Sequence, residues 1–225
     1  CEHIAIFIHK FPDPDAIASA YTMFAIAEKL NVRKIDIFYS GSFSHEKTRY
    51  MMDLLELWDY FKEYNGYACD DTINLYIDTS YGKFYPEPDI IIDHHWSNKK
   101  QRAKITHILP VGSCSAIITE YLKYTQLFDS INEKEKERIA TLLLYGIVND
   151  TIDFTTNVTI LDFNSVIWLQ QFANESIIDD ISSYISKEYA EMLRFANKNK
   201  EIIKDIIAVS YTHLRAHETR HDLVC

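Results

Sequence analysis

The sequence has few cysteines, and no two of them are close together. The four cysteines, Cys1, Cys69, Cys114 and Cys225, form no CxxC pair. A disulfide framework and a zinc site built from thiolates both show regular cysteine spacings, so neither is indicated. The pattern is typical of reduced cysteines in a cytoplasmic protein, and we expect that location.

Long apolar runs, internal repeats and low-complexity tracts are also missing. Because no stretch of about 18 apolar residues occurs, the sequence predicts no transmembrane helix and no membrane contact. The chain starts at Cys1 without an initiator Met and soon reaches a predicted strand, which leaves no room for a signal peptide. We therefore expect a trimmed chain or a fragment.

Basic residues are outnumbered by acidic ones. There are 23 Lys and Arg against 33 Asp and Glu, which gives a formal net charge of -10. This charge argues against a broad surface that coats duplex nucleic acid. It does not exclude a nucleotide substrate, because bound divalent cations reverse the local charge. With 47% hydrophobic residues, 15 Tyr and 12 Phe, the 225 residues are sufficient for one sizeable domain or one domain plus the start of a second.

Apolar runs alternate with helical patterns along the first half of the chain. The predicted strands cover residues 4–8, 34–40, 72–78, 89–93 and 105–109. The predicted helices cover residues 14–30, 45–57, 132–149, 160–172 and 187–204, with a polar break at 174–176. A further predicted helix follows residues 111–115 and runs to about residue 124. The opening βαβα order predicts an α/β fold, with a mainly parallel sheet sandwiched by helices.

Acidic residues and histidines follow four of the apolar runs. HKFPDPDA supplies His9, Asp13 and Asp15, NLYI precedes Asp78, DIII precedes His94 and His95, and LLLYGIVN precedes Asp150. We interpret the four runs as strand ends, which an open α/β sheet gathers at one edge. Taken alone, Asp78 is typical of a turn residue. The joint placement favours a single metal site.

The six candidate metal ligands are His9, Asp13, Asp15, Asp78, His94 and Asp150. Carboxylate oxygens with a minority of imidazoles suit Mn²⁺ or Mg²⁺ better than a structural zinc. Six ligands are enough for two ions, an arrangement that clamps a phosphoryl group from both sides.

These motifs, in this order, resemble those of a known family. HKFPDPDAIASA, YIDTS around Asp78, IDHHWSN at 92–98 and GIVNDT at 146–151 resemble the four motifs of the DHH family of phosphoesterases. That family includes oligoribonucleases, RecJ-type exonucleases, cyclic-dinucleotide phosphodiesterases, manganese pyrophosphatases and exopolyphosphatases. The resemblance covers about residues 3–185 and implies a Rossmann-like DHH catalytic domain over residues 1–185.

The resemblance also implies a role for each residue. One Mn²⁺ would be held by His9 and Asp13, the other by Asp15, His94 and Asp150, with Asp78 bridging the two. His95 would contact the phosphate, and Asp93 would fix the tautomer of a histidine, so we expect these two as catalytic residues. Ser113 and Ser115, at the entry to a helix near the site, are expected phosphate contacts, with a plain helix start as the alternative.

The forms GIVNDTIDF and DHHWSN resemble the oligoribonuclease and dinucleotide phosphodiesterase branch. They imply hydrolysis of short oligonucleotides, small nucleotide phosphodiesters or phosphomonoesters by a hydroxide that two metal ions activate. A manganese pyrophosphatase or exopolyphosphatase stays open as an alternative. So do a non-catalytic nucleotide-binding module and a protein whose aspartates only cap helices.

The end of the sequence departs from the family pattern. Most nuclease members carry a second domain with a glycine-rich loop, and nothing similar follows Lys187. We expect a linker helix over 186–209 toward an absent second domain, and a non-native tail over 210–225. The tail contains an HExxH sequence at 217–221, but no third zinc ligand follows it, so we do not interpret it as a protease motif.

Overall fold

The computed structural model describes residues 3–43, 45–66, 71–80, 85–96, 103–187, 190, 191 and 194. The chain divides into two compact units, Cys1–Ser183 and Tyr184–Cys225. Most of the second unit lies outside the described residues. The predicted linker helix over 186–209 and the tail over 210–225 with its HExxH sequence therefore stay predictions.

A parallel sheet of six strands forms the centre of the first unit. The strands are β1 (His3–Lys10), β2 (Lys34–Ser40), β3 (Phe61–Glu63), β4 (Thr72–Ile77), β5 (Ile90–Asp93) and β6 (Ile105–Ile108). Their order is β3-β2-β1-β4-β5-β6, and every neighbouring pair is parallel. The strand order therefore reverses between β1 and β4, where open α/β sheets form a crevice beyond the carboxyl ends of the strands.

Six helices of the first unit accompany the sheet within the residues that the structure describes. They are α1 (Pro14–Lys29), α2 (Glu46–Leu54), α3 (Cys114–Thr125), α4 (Glu133–Asp150), α5 (Ile160–Leu169) and α6 (Glu175–Ser183). The first helix begins where the sequence predicts, because Pro14 occupies its first turn and the Asp13 carboxylate accepts a hydrogen bond from the Ala16 amide. The α/β class and the parallel sheet predicted from the sequence are thus confirmed.

The two faces of the sheet are covered differently within the described residues. All six helices contribute side chains to the larger core cluster, together with Ile6, Ile8 and Ile77 of the strands. The smaller cluster, around Phe7 and Tyr76, contains residues of strands and connections but none of a described helix. Tyr64, Tyr85 and Ala103, described residues of the connections after β3, β4 and β5, pack against this second cluster. The predicted helical cover is therefore seen on one face of the described structure.

Three local expectations need correction. The interpretation of all four apolar runs as strand ends is wrong for the run before Asp150, because Asp150 is the last residue of helix α4, which confirms the helix predicted over residues 132–149. The chain between α2 and β4 contains a short 3-10 turn and strand β3, which is too brief to show an alternating pattern. Helix α6 starts inside the predicted polar break, because the Asn174 side chain accepts a hydrogen bond from the Ile177 amide and begins a new helix.

The structure bears on a membrane-spanning helix and on a disulfide only within the described residues. None of the described helices combines the length and the apolarity that crossing a bilayer requires. Cys114 is buried and forms no disulfide, whereas the other three cysteines lie outside the described residues.

Candidate metal centre

The six predicted metal ligands come together at the carboxyl ends of β1, β4 and β5. His9 is the next-to-last residue of β1, Asp13 caps the start of α1, Asp15 lies in its first turn, and Asp78 directly follows β4. The other two ligands are His94, directly after β5, and Asp150, at the end of α4. The cluster thus occupies the point where the strand order reverses, as expected for a ligand site in an open α/β sheet.

The first group consists of His9, Asp13 and Asp78, whose ligand atoms lie within 4.8 Å of one another. Nε2 of His9 lies 3.5 Å from Oδ1 of Asp13 and 3.6 Å from Oδ2 of Asp78. The side chain of Asp78 is only 1% exposed, whereas those of His9 and Asp13 are 25% and 32% exposed. This group therefore has a buried floor and an accessible side.

The second group consists of Asp15, His94 and Asp150, also within 4.8 Å of one another. Nε2 of His94 lies 3.3 Å from Oδ2 of Asp150 and 3.8 Å from Oδ2 of Asp15. The same nitrogen lies 3.3 Å from Oδ1 of Asp78, the oxygen that does not face His9. Asp78 thus stands between the two groups, with one oxygen toward each histidine.

Backbone carbonyls orient both histidines. Nδ1 of His9 is 2.9 Å from the carbonyl oxygen of Lys10, and Nδ1 of His94 is 3.1 Å from that of Val111. When Nδ1–H donates to a carbonyl, Nε2 carries the lone pair and turns toward the carboxylates. Metal-binding histidines use this arrangement.

The pKa values reflect four carboxylates crowded into a buried space. Burial and then the neighbouring Asp15 raise the pKa of Asp78 well above its usual range, and the same causes raise that of Asp150 to about 7. Burial alone would lower the pKa of His9, but Asp13 and Asp78 raise it to about 10. Positive charge therefore stabilises the site, and either protons or metal cations would supply it.

Two buried atoms of the cluster lack hydrogen-bond partners among the described residues. They are Oδ1 of Asp78 and Nε2 of His94, which face each other. A buried polar atom without a partner costs free energy, so such atoms commonly face a ligand or an ion. Together with the oxygen-rich donor set, these atoms fit divalent cations of the Mn²⁺ or Mg²⁺ type.

The DHH sequence itself forms a tight turn around Asp93. Oδ1 of this buried carboxylate accepts hydrogen bonds from the amides of His94 and His95 at 2.8 and 3.1 Å. It also lies 2.9 Å from Nδ1 of His95. Asp93 therefore positions both histidines, while the half-exposed His95 ring presents its other nitrogen, Nε2, for a ligand. His95 also forms a close group with Asp78 and His94, an alternative way to hold an ion.

Ser113 and Ser115 were expected to contact a phosphate, but both are fully buried. The amides of Cys114 and Ser115 donate to the two oxygens of Asp15, at 2.7 and 2.8 Å. The hydroxyl of Ser113 donates to Asp162 and accepts from the Ala116 amide. These groups already have partners within the chain, so the start of α3 holds a carboxylate ligand where we expected a substrate phosphate.

Sequence reasoning missed three contributors to the site. They are the carbonyl of Val111, the buried carboxylate of Asp162, and Gly146, which lies against Asp15. Asp162 has a readable signal, because Thr159 and Asp162 form the T-x-x-D pattern of a capping box. Gly146 interrupts an otherwise apolar helix, a position where glycine commonly permits close packing.

The fold and the site together define an α/β domain with a cluster of carboxylates and imidazoles suited to metal-assisted phosphoryl chemistry. The sequence model of the family described as "DHH family, N-terminal domain" matches residues 3–147 of the chain. The chain therefore belongs to the DHH family of phosphoesterases, and the resemblance predicted from its motifs is confirmed.

Relatives support the same family. The chain is 36% identical to Uncharacterized protein MJ1633 of Methanocaldococcus jannaschii over 217 residues, which cover 92% of this chain and 43% of that protein. It is 21% identical to Cyclic-di-AMP phosphodiesterase PdeA of Listeria monocytogenes over 231 residues, with coverages of 94% and 34%.

Among solved structures, an exopolyphosphatase-related protein from Bacteroides fragilis is similar in fold. Its TM-score is 0.69 at 18% sequence identity, and the match covers 88% of this chain and 61% of that one. The chain therefore spans less than two thirds of the length of each of these relatives.

Proposed function

We propose that this chain holds two divalent cations, Mn²⁺ or Mg²⁺, and hydrolyses short oligonucleotides or small nucleotide phosphoesters. The observation that carries the proposal is the position of Asp78. Its Oδ2 lies 3.6 Å from Nε2 of His9, and its Oδ1 lies 3.3 Å from Nε2 of His94. Two-metal sites hold their ions about 3.5–4 Å apart, a spacing that the two oxygens of one carboxylate can bridge.

The remaining ligands divide between the two sides of Asp78. On one side His9 and Asp13 would hold the first cation, and on the other Asp15, His94 and Asp150 would hold the second. Four carboxylates and two imidazoles make a hard, oxygen-rich donor set. Such a set suits Mn²⁺ or Mg²⁺, which supports the choice of metal.

When bound, such a cation pair supplies Lewis acidity and lowers the pKa of a water molecule. The chain's own contribution to proton handling is His95. Its hydrogen bond with Asp93 raises the pKa of His95, which favours an imidazolium with a proton on Nε2. That N–H would donate to a phosphate oxygen as negative charge builds on it, while Asp93 keeps the ring oriented.

Two exposed aromatic side chains support a nucleotide substrate. Phe11 follows His9 by two residues and is 42% exposed, and Trp96 directly follows His95 and is 84% exposed. Stacking of a base on an aromatic ring contributes about 1–3 kcal/mol, and inorganic pyrophosphate offers no base to stack. The name of the related PdeA protein also refers to a dinucleotide.

A pyrophosphatase or exopolyphosphatase is the second candidate. Its support is the similarity in fold to an exopolyphosphatase-related protein, together with a metal cluster that does not itself select a base. A nucleotide-binding module without turnover is the candidate of another class. These three candidates differ in which phosphate compounds the chain hydrolyses.

The experiment is a hydrolysis assay with Mn²⁺ on a 5′-phosphorylated adenine dinucleotide, inorganic pyrophosphate and tripolyphosphate. We expect mononucleotide release, and Trp96→Ala should raise the dinucleotide KM about tenfold, as the loss of one stacked base predicts. Tyr124→Ala, which removes an aromatic ring that is 82% exposed at the end of α3, serves as the matched control and should not change the KM. Rapid pyrophosphate hydrolysis without mononucleotide release would establish the second candidate, and dinucleotide binding without any hydrolysis would establish the binding module.

A further inference from the structure

One short segment contacts or flanks every ligand of the second cation group. Residues Val111–Ser115, which we name the α3 entry segment, connect β6 to α3. The Val111 carbonyl accepts the Nδ1 hydrogen bond of His94, at 3.1 Å. The amides of Cys114 and Ser115 hold both oxygens of Asp15, at 2.7 and 2.8 Å.

The same segment lies against the end of α4, which carries Asp150. A Cβ atom added to Gly112 would lie 2.7 Å from Cγ2 of Thr151, the residue after Asp150. Thr151 is itself fully buried. The close approach of Gly112 therefore ties the segment to the third ligand of the group through its chain neighbour.

The first cation group has only an indirect connection to this segment, because the Cys114 thiol, at 3.7 Å, and the Asp78 amide, at 2.9 Å, both donate to the carbonyl of Ile92. In the part of the chain that the structure describes, no hydrogen bond joins the α3 entry segment to His9, Asp13 or Asp78. His9 is oriented by its own neighbour, Lys10, and Asp13 caps its own helix. The side chains of His9 and Asp13 are therefore supported by parts of the fold other than the α3 entry segment.

Besides Asp15, a second buried carboxylate, that of Asp162, binds the α3 entry segment. Its Oδ2 accepts the Gly112 amide at 2.9 Å, and its Oδ1 accepts the Ser113 hydroxyl at 3.2 Å. Oδ2 also accepts the amide and the hydroxyl of Thr159, at 2.8 and 2.6 Å. Asp162 is fully buried, and these four donors bind it from two elements, so its position is well fixed.

We propose that Asp162 is a positioning residue for the second cation only. Through the α3 entry segment it would set the directions of Asp15 and His94, leaving the cation between His9, Asp13 and Asp78 unaffected. This inference rests on the proposed function, because it presupposes a two-cation site. Residues that orient metal ligands typically change metal affinity by about 10- to 100-fold when they are replaced.

The test is a titration with Mn²⁺ of the whole chain, monitored by the electron paramagnetic resonance signal of free Mn²⁺ and by calorimetry. Asp162→Asn keeps the size of the side chain but cannot accept all four hydrogen bonds. We expect one Mn²⁺ to bind as in the wild type and the other to bind about 10- to 100-fold more weakly. Equal weakening of both ions, or no change in either, would overturn the proposal.

Two double variants identify which ion is affected. Asp13→Asn removes a ligand of the first group, so the remaining ion belongs to the second group, and adding Asp162→Asn should weaken it. Asp150→Asn leaves the ion of the first group, and adding Asp162→Asn should not change its affinity. The opposite assignment would contradict the inference.

Asp162 also caps α5, so a purely structural role must be distinguished. Asn132→Ala removes the cap of α4, where the side chain accepts the Glu135 amide at 3.0 Å, and should lower stability without changing either affinity. If Asp162→Asn does not fold, Ser113→Ala loosens the same link more mildly and should weaken the same ion. A wild-type chain that binds no second Mn²⁺ would instead refute the proposed function.

Discussion

Nε2 of His94 lies 3.3 Å from Oδ1 of Asp78, and neither atom has a hydrogen-bond partner within the described residues. Both atoms are buried, and the other nitrogen of His94 already donates to the Val111 carbonyl. Two lone pairs that face each other in a buried space repel unless a proton or a cation lies between them. This pair is where the two cation groups meet.

The first prediction concerns Asp78. Asp78→Asn should abolish binding of the cation pair and slow hydrolysis by about 10³-fold or more, because it removes the shared ligand. In EDTA the same variant should be more stable, with a Tm about 2–4 °C higher for each kcal/mol gained. The reason is that burial and the neighbouring Asp15 raise the pKa of Asp78, so the metal-free fold is destabilised by this carboxylate.

Thermal unfolding with EDTA and with Mn²⁺ measures both effects of Asp78→Asn. Asp129→Asn, an exposed carboxylate change outside the cluster, should leave both measurements as in the wild type. A variant that is less stable in EDTA and still binds two Mn²⁺ ions would contradict the prediction.

The second prediction is that the metal-free chain loses stability as pH rises. The folded-state pKa of His9, about 10, is above its ordinary 6.5, so the stability it contributes is complete below 6.5 and lost toward 10. The pKa of Asp150 is raised from 3.8 to about 7, so keeping this carboxyl ionised also costs stability as pH rises through that window. The Tm in EDTA should therefore be lower at about pH 8 than at about pH 6.

Mn²⁺ should reverse this trend, because it binds the deprotonated ligands and competes with protons. Its stabilising effect should be larger at the higher pH. His9→Gln should reduce the pH dependence in EDTA, since it removes one of the groups responsible. A Tm in EDTA that rises between the two pH values would show that these groups do not control the metal-free stability.

The third prediction concerns Gly146 in α4. An added Cβ would lie 2.4 Å from Oγ of Ser115 and 3.2 Å from Cα of Asp15. Gly146→Ala should therefore destabilise the fold by about 1–3 kcal/mol, although alanine normally stabilises a helix relative to glycine. Urea unfolding in EDTA measures the change.

A double variant tests the cause. Ser115→Ala removes the atom nearest to the new methyl group, so Gly146→Ala should cost less in that background, with a coupling of about 0.5–3 kcal/mol. Strict additivity of the two changes would mean that the contact with Ser115 is not the source of the destabilisation.

The fourth prediction separates His95 from the metal ligands. His95→Gln should leave both Mn²⁺ ions bound and lower kcat by about 10²- to 10⁴-fold, because it removes a proton-bearing group next to the phosphate. Metal titration and turnover are measured on the same preparation. Loss of one ion would instead favour the alternative group of Asp78, His94 and His95 as a metal site.

Most of the cluster of carboxylates and imidazoles was predictable, because the identity of its residues and their positions near the ends of apolar runs are local features. His9 lies at the end of β1, Asp13 and Asp15 follow this strand, and Asp78 follows β4. The partners of α3 were not predictable, since the bond from the Ser115 amide to Asp15 joins positions 100 residues apart. The same applies to Asp162, whose capping box gives a local signal while its bond to the Gly112 amide does not.

The end of α4 at Asp150 shows a similar limit of prediction from the sequence. The sequence predicts a helix over residues 132–149 that ends next to Asp150, although the apolar run LLLYGIVN taken alone also fits a strand end, because periodicity cannot separate the two in a buried segment. Length decides the matter, since α4 covers 18 residues. The approach of α4 to the site also depends on Gly146, whose role appears only when Asp15 is placed against it.

An anomalous difference map from crystals grown with Mn²⁺ tests the central claim most directly. We predict two peaks about 3.5–4 Å apart, one between His9, Asp13 and Asp78 and the other between Asp15, His94 and Asp150. A single peak, or two peaks that do not share Asp78, would contradict the two-cation site.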